Sequence, residues 1–246
     1  MTVLAGDCRT PSDTVIYAIG DIHGRSDLLA AIFAQIVIDA ARRKTRRRVV
    51  VSLGDYVSRG ANSRRVIEML MEAPPEGFER VTLKGNHEDL LLRYLDGELD
   101  AGKHWFDYNG QDMLASYGVE IPDRRARDDA SMALARWRFE AALPPPHLKF
   151  FRSLRVRHQE GDYCFVHGGV RPGIPLAQQS DHDCMWIRKA FLDSEAEHGA
   201  VVVHGHSISD QPEVKRNRIG IDTGAYRSGV LTCLVLEGTT RSFLQT

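Results

Sequence analysis

The chain has 246 residues, 43% hydrophobic and 26% charged, with a net charge of −1. That length allows one large domain or two small ones, and the composition is ordinary for a soluble globular protein. The near-neutral charge weighs against a general nucleic-acid binder. No stretch approaches the roughly 18 apolar residues a membrane span requires, and Met1 to Ser12 hold no apolar core, so neither a span nor a signal peptide is expected. Cys8, Cys164, Cys184 and Cys233 are widely spaced with no CxxC pair, which fits free thiols in a reducing cytoplasm.

Met1 to Asp13 reads as a loose N-terminus. Thr14 to Gly20 is the first strand. Ser26 to about Arg43 has apolar residues at helical spacing (Leu28, Leu29, Ile32, Phe33, Ile36, Val37), with Ser26 as N-cap. Arg42 to Arg48 holds six basic residues in seven, either an anion-docking patch or, more simply, a solvated helix end. The run Val49-Val-Val-Ser-Leu-Gly-Asp55 is the second strand, and a helix from about Asn62 to Glu72 stops at Ala73-Pro74-Pro75. Glu79 to Lys84 is the third strand and Asn86 to Asp96 the next helix. This βαβαβ opening predicts parallel strands with right-handed crossovers.

Gly97 to about Phe151 differs, with Trp105, Phe106, Tyr108, Trp137 and Phe139, charged helical patterns and a break at Pro144-Pro145-Pro146. It reads as a mostly helical insert capping one edge of a site, with Trp105 and Trp137 assigned to its core. Strands then follow at Leu154–Arg157, Tyr163–Val166, Val201–His204, Arg218–Ile221, Val230–Leu236 and Arg241–Leu244, with a short helix from Asp183 to Leu192. Both halves supply strands, so the expected fold class is α/β: one domain over 1–246, a sandwich of two β-sheets with helices outside and an insert at about 97–151.

Five apolar runs end in Asp, Asn or His beside a glycine: at Asp21 and His23, at Asp55, at Asn86 and His87, at His167, and at His204 and His206. Polar strand ends next to residues that permit tight turns build one site from distant segments of an α/β sheet. The candidate ligands are Asp21, His23, Asp55, Asn86, His167 and His206. This oxygen-and-imidazole set suits Mn, Fe or Zn better than the all-oxygen preferences of Ca or Mg. Six ligands exceed one tetrahedral zinc but fit two divalent ions sharing a bridging group, the arrangement that clamps the attacking and leaving oxygens of a displacement at phosphorus. Arg59 is placed to fork phosphate oxygens, and His87 is a candidate general acid for the leaving group.

The motifs Gly20-Asp-Ile-His-Gly24, Gly54-Asp-Tyr-Val-Ser-Arg-Gly60, Gly85-Asn-His-Glu88, His167-Gly-Gly169 and His204-Gly-His206 resemble, in order and over about residues 15 to 236, those of the PPP-family metallophosphatases. That family includes bacterial and phage serine/threonine protein phosphatases and the related symmetrical diadenosine tetraphosphate hydrolases. The resemblance implies a calcineurin-like metallophosphoesterase fold. It implies Asp21 and His23 on the first metal, Asp55 bridging, and Asn86, His167 and His206 on the second, Mn being the preferred ion. It makes His87 the acid, Arg59 a phosphate ligand and Arg188, in Met185-Trp-Ile-Arg188, the second phosphate arginine. His206 is favoured over His204 as the ligand. The substrate implied is a phosphoprotein, or a phosphorylated small molecule, cleaved by a hydroxide bridging the two ions.

One position departs from the pattern. Protein phosphatases of this kind read GDxVDRG, where an Asp orients the catalytic histidine, and here that residue is Ser58. The tetraphosphate hydrolases also lack the Asp, but Glu88 and Arg25 depart from their motifs, so phosphoprotein ranks above dinucleotide. Two rivals from other classes are a catalytically weak metal-binding regulatory module, opposed by the intact ligand set, and a nucleic-acid phosphodiesterase, opposed by the charge.

Overall fold

The computed structural model describes residues 4–5, 8–121, 123, 125 and 127–246. In chain order the strands are β1 (Leu4–Ala5), β2 (Thr14–Ile19), β3 (Arg47–Ser52), β4 (Phe78–Thr82), β5 (Arg157–Glu160), β6 (Tyr163–Val166), β7 (Val201–His204), β8 (Glu213–Val214), β9 (Arg218–Gly220), β10 (Thr232–Glu237) and β11 (Thr240–Gln245). The helices are α1 (Ser26–Ala41), α2 (Ser63–Met71), α3 (Asn86–Leu95), α4 (Leu99–Asp107), α5 (Gln111–Ser116), α6 (Asp129–Ala142), α7 (Pro145–Ser153), α8 (Asp181–Trp186), α9 (Lys189–Leu192) and α10 (Ala225–Ser228).

The strands form two mixed sheets, ordered β1-β11-β10-β2-β3-β4 and β5-β6-β7-β9-β8. As expected from the βαβαβ opening, β2, β3 and β4 run parallel. In the second sheet β6, β7 and β9 are parallel. Side chains alternate between faces along a strand, so each sheet has two apolar surfaces to cover. Ile16, Ala18, Val49, Val51 and Leu234 of the first sheet pack on Phe165, Val203 and Ile219 of the second, forming the inner core. The other face of the first sheet (Val15, Tyr17, Ile19, Val50) is covered by α1, α2 and α3 through Leu29, Ile32, Val66, Ile67 and Leu91. The outer face of the second sheet (Cys164, Val166, Val202) meets Cys184, Ile187 and Phe191 around α8 and α9. The result is a sandwich of two sheets flanked by helices.

The insert is helical, α4 to α7, and its Trp105, Phe106, Met113, Leu114, Met132 and Phe139 join the core beneath the first sheet. Trp137 corrects the expectation of a core residue: it is 64% exposed. The triple proline also acts differently than expected. Only Leu143 and Pro144 interrupt the helices, and Pro145 and Pro146 open α7, where proline needs no N–H partner.

Other expectations shift. Part of the N-terminus is ordered, because Leu4–Ala5 pairs antiparallel with β11 at the sheet edge; residues 1–3 and 6–7 lie outside the described residues. Ser26 is the first helical residue and not the cap; Arg25 occupies the cap position without a side-chain bond, and instead grips Asp27. The strand expected at Leu154–Arg157 lies at β5, set by antiparallel pairing with β6, while Arg155 makes only an isolated bridge to Leu83. The helix expected from Asp183 to Leu192 is two, broken at Ile187 and Arg188 by non-helical backbone. The basic run is largely neutralised: Arg43 pairs with Asp39 and Glu237, Arg46 with Asp13, and Arg47 with Glu79 and Glu160. It reads as a paired surface and not a docking patch. No helix among the described residues is long and apolar enough to cross a membrane.

Candidate metal centre

The polar strand ends converge where the carboxyl ends of β2, β3, β4, β6 and β7 face one another. The loops after the first three strands are bonded into one unit. His23 and Gly24 donate backbone N–H groups to the Asp55 and Tyr56 carbonyls at 2.8 Å. Glu88, fully buried, takes the N–H groups of Asp55 and Tyr56 at 2.8 Å and of Gly85 at 2.9 Å, while the His87 N–H donates to Asp55 Oδ1 at 3.0 Å. The two halves of the chain meet at Asp21, which accepts the His206 N–H at 3.1 Å. Gly205 is required there, because a Cβ would collide with the Asp21 carboxylate.

The backbone is strained in this unit. His23, Asp55, Ser58, Arg59 and His206 all have φ between 45° and 72° without being glycine. Such residues cost about 1–3 kcal/mol each and persist only where their surroundings over-determine them. Here that surrounding is the mesh of N–H and carboxylate bonds.

Two buried donor groups emerge among the described residues: His23, Asp55 and His87; and Asp55, His167 and His206. Asp55 is common to both. His23 Nδ1 lies 2.9 Å from the Val57 carbonyl and His167 Nδ1 2.9 Å from the Leu53 carbonyl. Each Nδ1 therefore carries the proton and each Nε2 presents a lone pair. Those lone pairs face Asp55 oxygens at 3.4 Å, and His167 Nε2 also faces Asn86 Oδ1 at 2.9 Å. Acceptors aimed at acceptors in a buried pocket repel one another unless a cation lies among them, so this donor set fits divalent metal ions. Burial is the largest cause that puts the Asp55 carboxyl at about 7, against the lowering pull of the His87 N–H and Arg59, and His167 at about 4, against the raising pull of the Leu53 carbonyl and Asp222. Burial likewise raises Asp21, where Asp222 and Asp55 add to the effect, and lowers His23 and His87.

His23, Asp55, His167 and His206 fall within these two groups, and so does His87, expected as the acid; Asp21, expected as a ligand, is in neither and lies beside them, 3.8 Å from His167 Nδ1. Asp21, His23, Asp55, Asn86, His167 and His206 are all at most 5% exposed. His87 Nε2 stands 3.8 Å from Asp55 Oδ2, and neither ring nitrogen has a hydrogen-bond partner. Arg188 reaches in from the break between α8 and α9, its Nε donating to His206 Nε2 at 2.9 Å. Arg59 lies over the Tyr226 ring, 4.7 Å from its centroid. His204 points elsewhere, into a separate cleft of about 780 Å³ with Ser207, Arg218 and Gly220.

Two residues went unread in the sequence. Asp222, 3% exposed, backs Asp21 and accepts the Gly224 N–H at 2.9 Å. Its signal was available, since Arg218–Ile221 is a further apolar run ending in an Asp near a glycine. Tyr108 lies with its ring centroid 6.0 Å from that of His87, and beyond it come His104 at 5.1 Å and Trp186 at a further 6.0 Å. Nothing in a linear pattern marks that row of rings.

A model of the calcineurin-like phosphoesterases matches residues 14–227. The chain is 26% identical over 225 residues to serine/threonine-protein phosphatase 2 of Salmonella typhimurium (strain LT2), covering 88% of this chain and 90% of the relative. It is 27% identical over 156 residues to a symmetrical bis(5'-nucleosyl)-tetraphosphatase of Dechloromonas aromatica (strain RCB), covering 63% of this chain. That match spans 44% of the relative's length. Among solved structures, one described as a proposed diadenosine tetraphosphatase has a TM-score of 0.61 at 17% identity over 98% of each chain. A cold-active protein tyrosine phosphatase has a TM-score of 0.53 at 17% identity, over 96% of this chain and 81% of that one. These two likenesses concern the fold. The matched family model spans the strands and loops that build the buried cluster, and the chain belongs to the calcineurin-like phosphoesterases.

Proposed function

We propose that the chain is a two-metal phosphatase whose first substrates are phosphoserine and phosphothreonine in proteins, with a cytoplasmic location to which the free cysteines point. Asp21, His23 and Asp55 would hold one ion and Asn86, His167 and His206 the other, Asp55 being common to both donor groups; Mn is the proposed ion. The observation that carries the reading is the set of buried Nε2 lone pairs of His23 and His167 turned on the Asp55 carboxylate. When bound, the ions supply an activated water and neutralise charge on the transferring phosphoryl group. The chain does the rest. Arg59 and Arg188 bind the phosphoryl oxygens, and His87 is the acid for the leaving oxygen, a role that needs the imidazolium which its burial opposes. Glu88 holds the Asp55 loop so that the carboxylate keeps its place. The phosphoprotein substrate is supported by the relative named a serine/threonine-protein phosphatase, which matches 88% of the chain.

A second reading is hydrolysis of dinucleoside polyphosphates. The row of rings from Tyr108 through His104 to Trp186 beside His87 favours it, because a base stacks on such faces. The deciding measurement is kcat/KM of Mn-reconstituted protein on a phosphothreonine peptide and on diadenosine tetraphosphate. The peptide is expected to be the better substrate, and Asp55→Asn to lower turnover by about 100-fold or more, at least the loss seen for supporting residues at metal sites. Preference for the dinucleotide moves the function to the second reading. No turnover of either with metal bound overturns both.

A further inference from the structure

Arg59 presents an uncommon picture for a buried-site cation. Its backbone has φ 65°, and its guanidinium makes no hydrogen bond or ion pair to any described residue. What it does touch is the ring of Tyr226, 4.7 Å from the centroid. The same ring meets His23 edge-on, with centroids 5.5 Å apart at 84°. Tyr226 lies on α10, a turn between Gly224 and Gly229, both left-handed. The turn is fastened from several sides: Ser228 Oγ donates to the Thr223 carbonyl at 2.8 Å, the Gly224 N–H donates to Asp222 at 2.9 Å, and Arg25 donates to the Ala225 carbonyl at 3.0 Å. Arg25 is itself held by Asp27.

We propose that Tyr226 is a positioning residue that holds Arg59 ready for the phosphoryl group. A carboxylate partner would occupy two guanidinium N–H groups in the plane that an oxyanion needs. A ring face instead engages the flat side of the cation and leaves all five donors free. It also spares Arg59 the loss of rotamer freedom on every binding event. The fastened turn makes Tyr226 a fixed floor, and Asp222 ties that floor to Asp21 in the metal-site cluster. This rests on Arg59 being a phosphate ligand, as proposed above.

The test is a double-mutant cycle read out on inorganic phosphate, using Mn-loaded protein. Its inhibition constant against p-nitrophenyl phosphate hydrolysis, and its dissociation constant by calorimetry, are measured for wild type, Tyr226→Leu, Arg59→Ala and the pair. Tyr226→Leu is expected to weaken phosphate binding about tenfold, the scale of a partly desolvated cation–π contact, and Tyr226→Phe to restore it. In the Arg59→Ala background, Tyr226→Leu is expected to add less than about twofold, because the two residues act as one unit. Fully additive effects would make Tyr226 a merely structural residue and overturn the proposal. So would loss of bound Mn from Tyr226→Leu by elemental analysis, since the ring would then act through His23. If Arg59→Ala alone leaves phosphate binding unchanged, the phosphate-ligand reading of Arg59 fails and takes this proposal with it.

Discussion

Ser58 is fully buried, and its hydroxyl accepts the Trp105 indole N–H at 3.0 Å while its backbone N–H donates to Ser63 Oγ at 3.0 Å. His87, by contrast, has no hydrogen-bond partner on either ring nitrogen. A nearby anion favours imidazolium and fixes its orientation, and position 58 supplies none. The weakness should show most where the leaving group needs a full proton. Ser58→Asp is therefore expected to raise kcat/KM on a phosphoserine peptide several-fold more than on p-nitrophenyl phosphate, whose leaving group is already acidic. The backbone at position 58 has φ 72°, a region Asp enters more readily than most residues, so the change is conformationally permitted. Equal responses on the two substrates would sink the idea.

At the scale of an element, α3 is the piece that fastens the site. Glu88 sits at its third position and reaches back to the Gly85 N–H, the half of a capping box that a glycine cap allows, but it also takes the Asp55 and Tyr56 N–H groups from the neighbouring loop. One side chain thus closes a helix start and sets a strained loop. Burial and Asp55 push its carboxyl up, and the three N–H donors pull it back toward the carboxylate. Glu88→Ala would leave three buried N–H groups unpaired, at about 1–3 kcal/mol each. A fall in Tm of about 10 °C is expected for a chain of this size, with Glu88→Gln intermediate because its single carbonyl oxygen still accepts. A melting shift under about 2 °C for the alanine variant would show that water or another group replaces the clamp. The break between α8 and α9 works in a comparable way, since continuous helix there would not carry Arg188 toward His206.

Over the whole molecule, the sandwich buries carboxylates and imidazoles together, and this sets its response to pH. Asp55 is raised to about 7, and Asp21 and Asp222 are raised as well, all chiefly by burial. A carboxyl with a folded pKa above its unfolded value holds its proton more tightly when folded. It stabilises at low pH, and that contribution is lost as pH rises through about 7. The lowered histidines act in the opposite sense, costing stability as pH falls below about 6.5. Above about pH 7.5 the histidines are neutral folded or unfolded, so between about pH 7.5 and 8.5 the raised carboxyls, Glu88 at about 8 among them, set the slope. The Tm of metal-free protein is expected to fall across that interval, while the rise in Tm on adding Mn grows, because the ligands must be ionised to bind. A metal-induced shift independent of pH would contradict the assignment of Asp55 to the ions.

Much was legible before any coordinates. Parallel strands β2, β3 and β4 and the helices between them follow from local period and glycine punctuation, which depend on neighbours a few residues away. The candidate ligands were readable for the same reason: a buried strand ending in Asp or His beside Gly is a local pattern. What lay beyond reach depends on distant contacts. The pairing of β5 with β6 moved a strand by three residues, and the edge of β11 recruited Leu4–Ala5 into a sheet. Trp137 and Trp105 sit on similar helical patterns, yet only packing against Tyr94 and Phe106 decides that Trp105 is inside. That the candidate ligands Asp21, Asp55, Asn86, His167 and His206 stand at or just past the ends of apolar strands is a local property, legible in the order of residues. That Asp21 meets His206, that Asp222 backs Asp21 and that Tyr226 lies under Arg59 could not be read this way, because each joins segments that approach one another only once the two sheets pack.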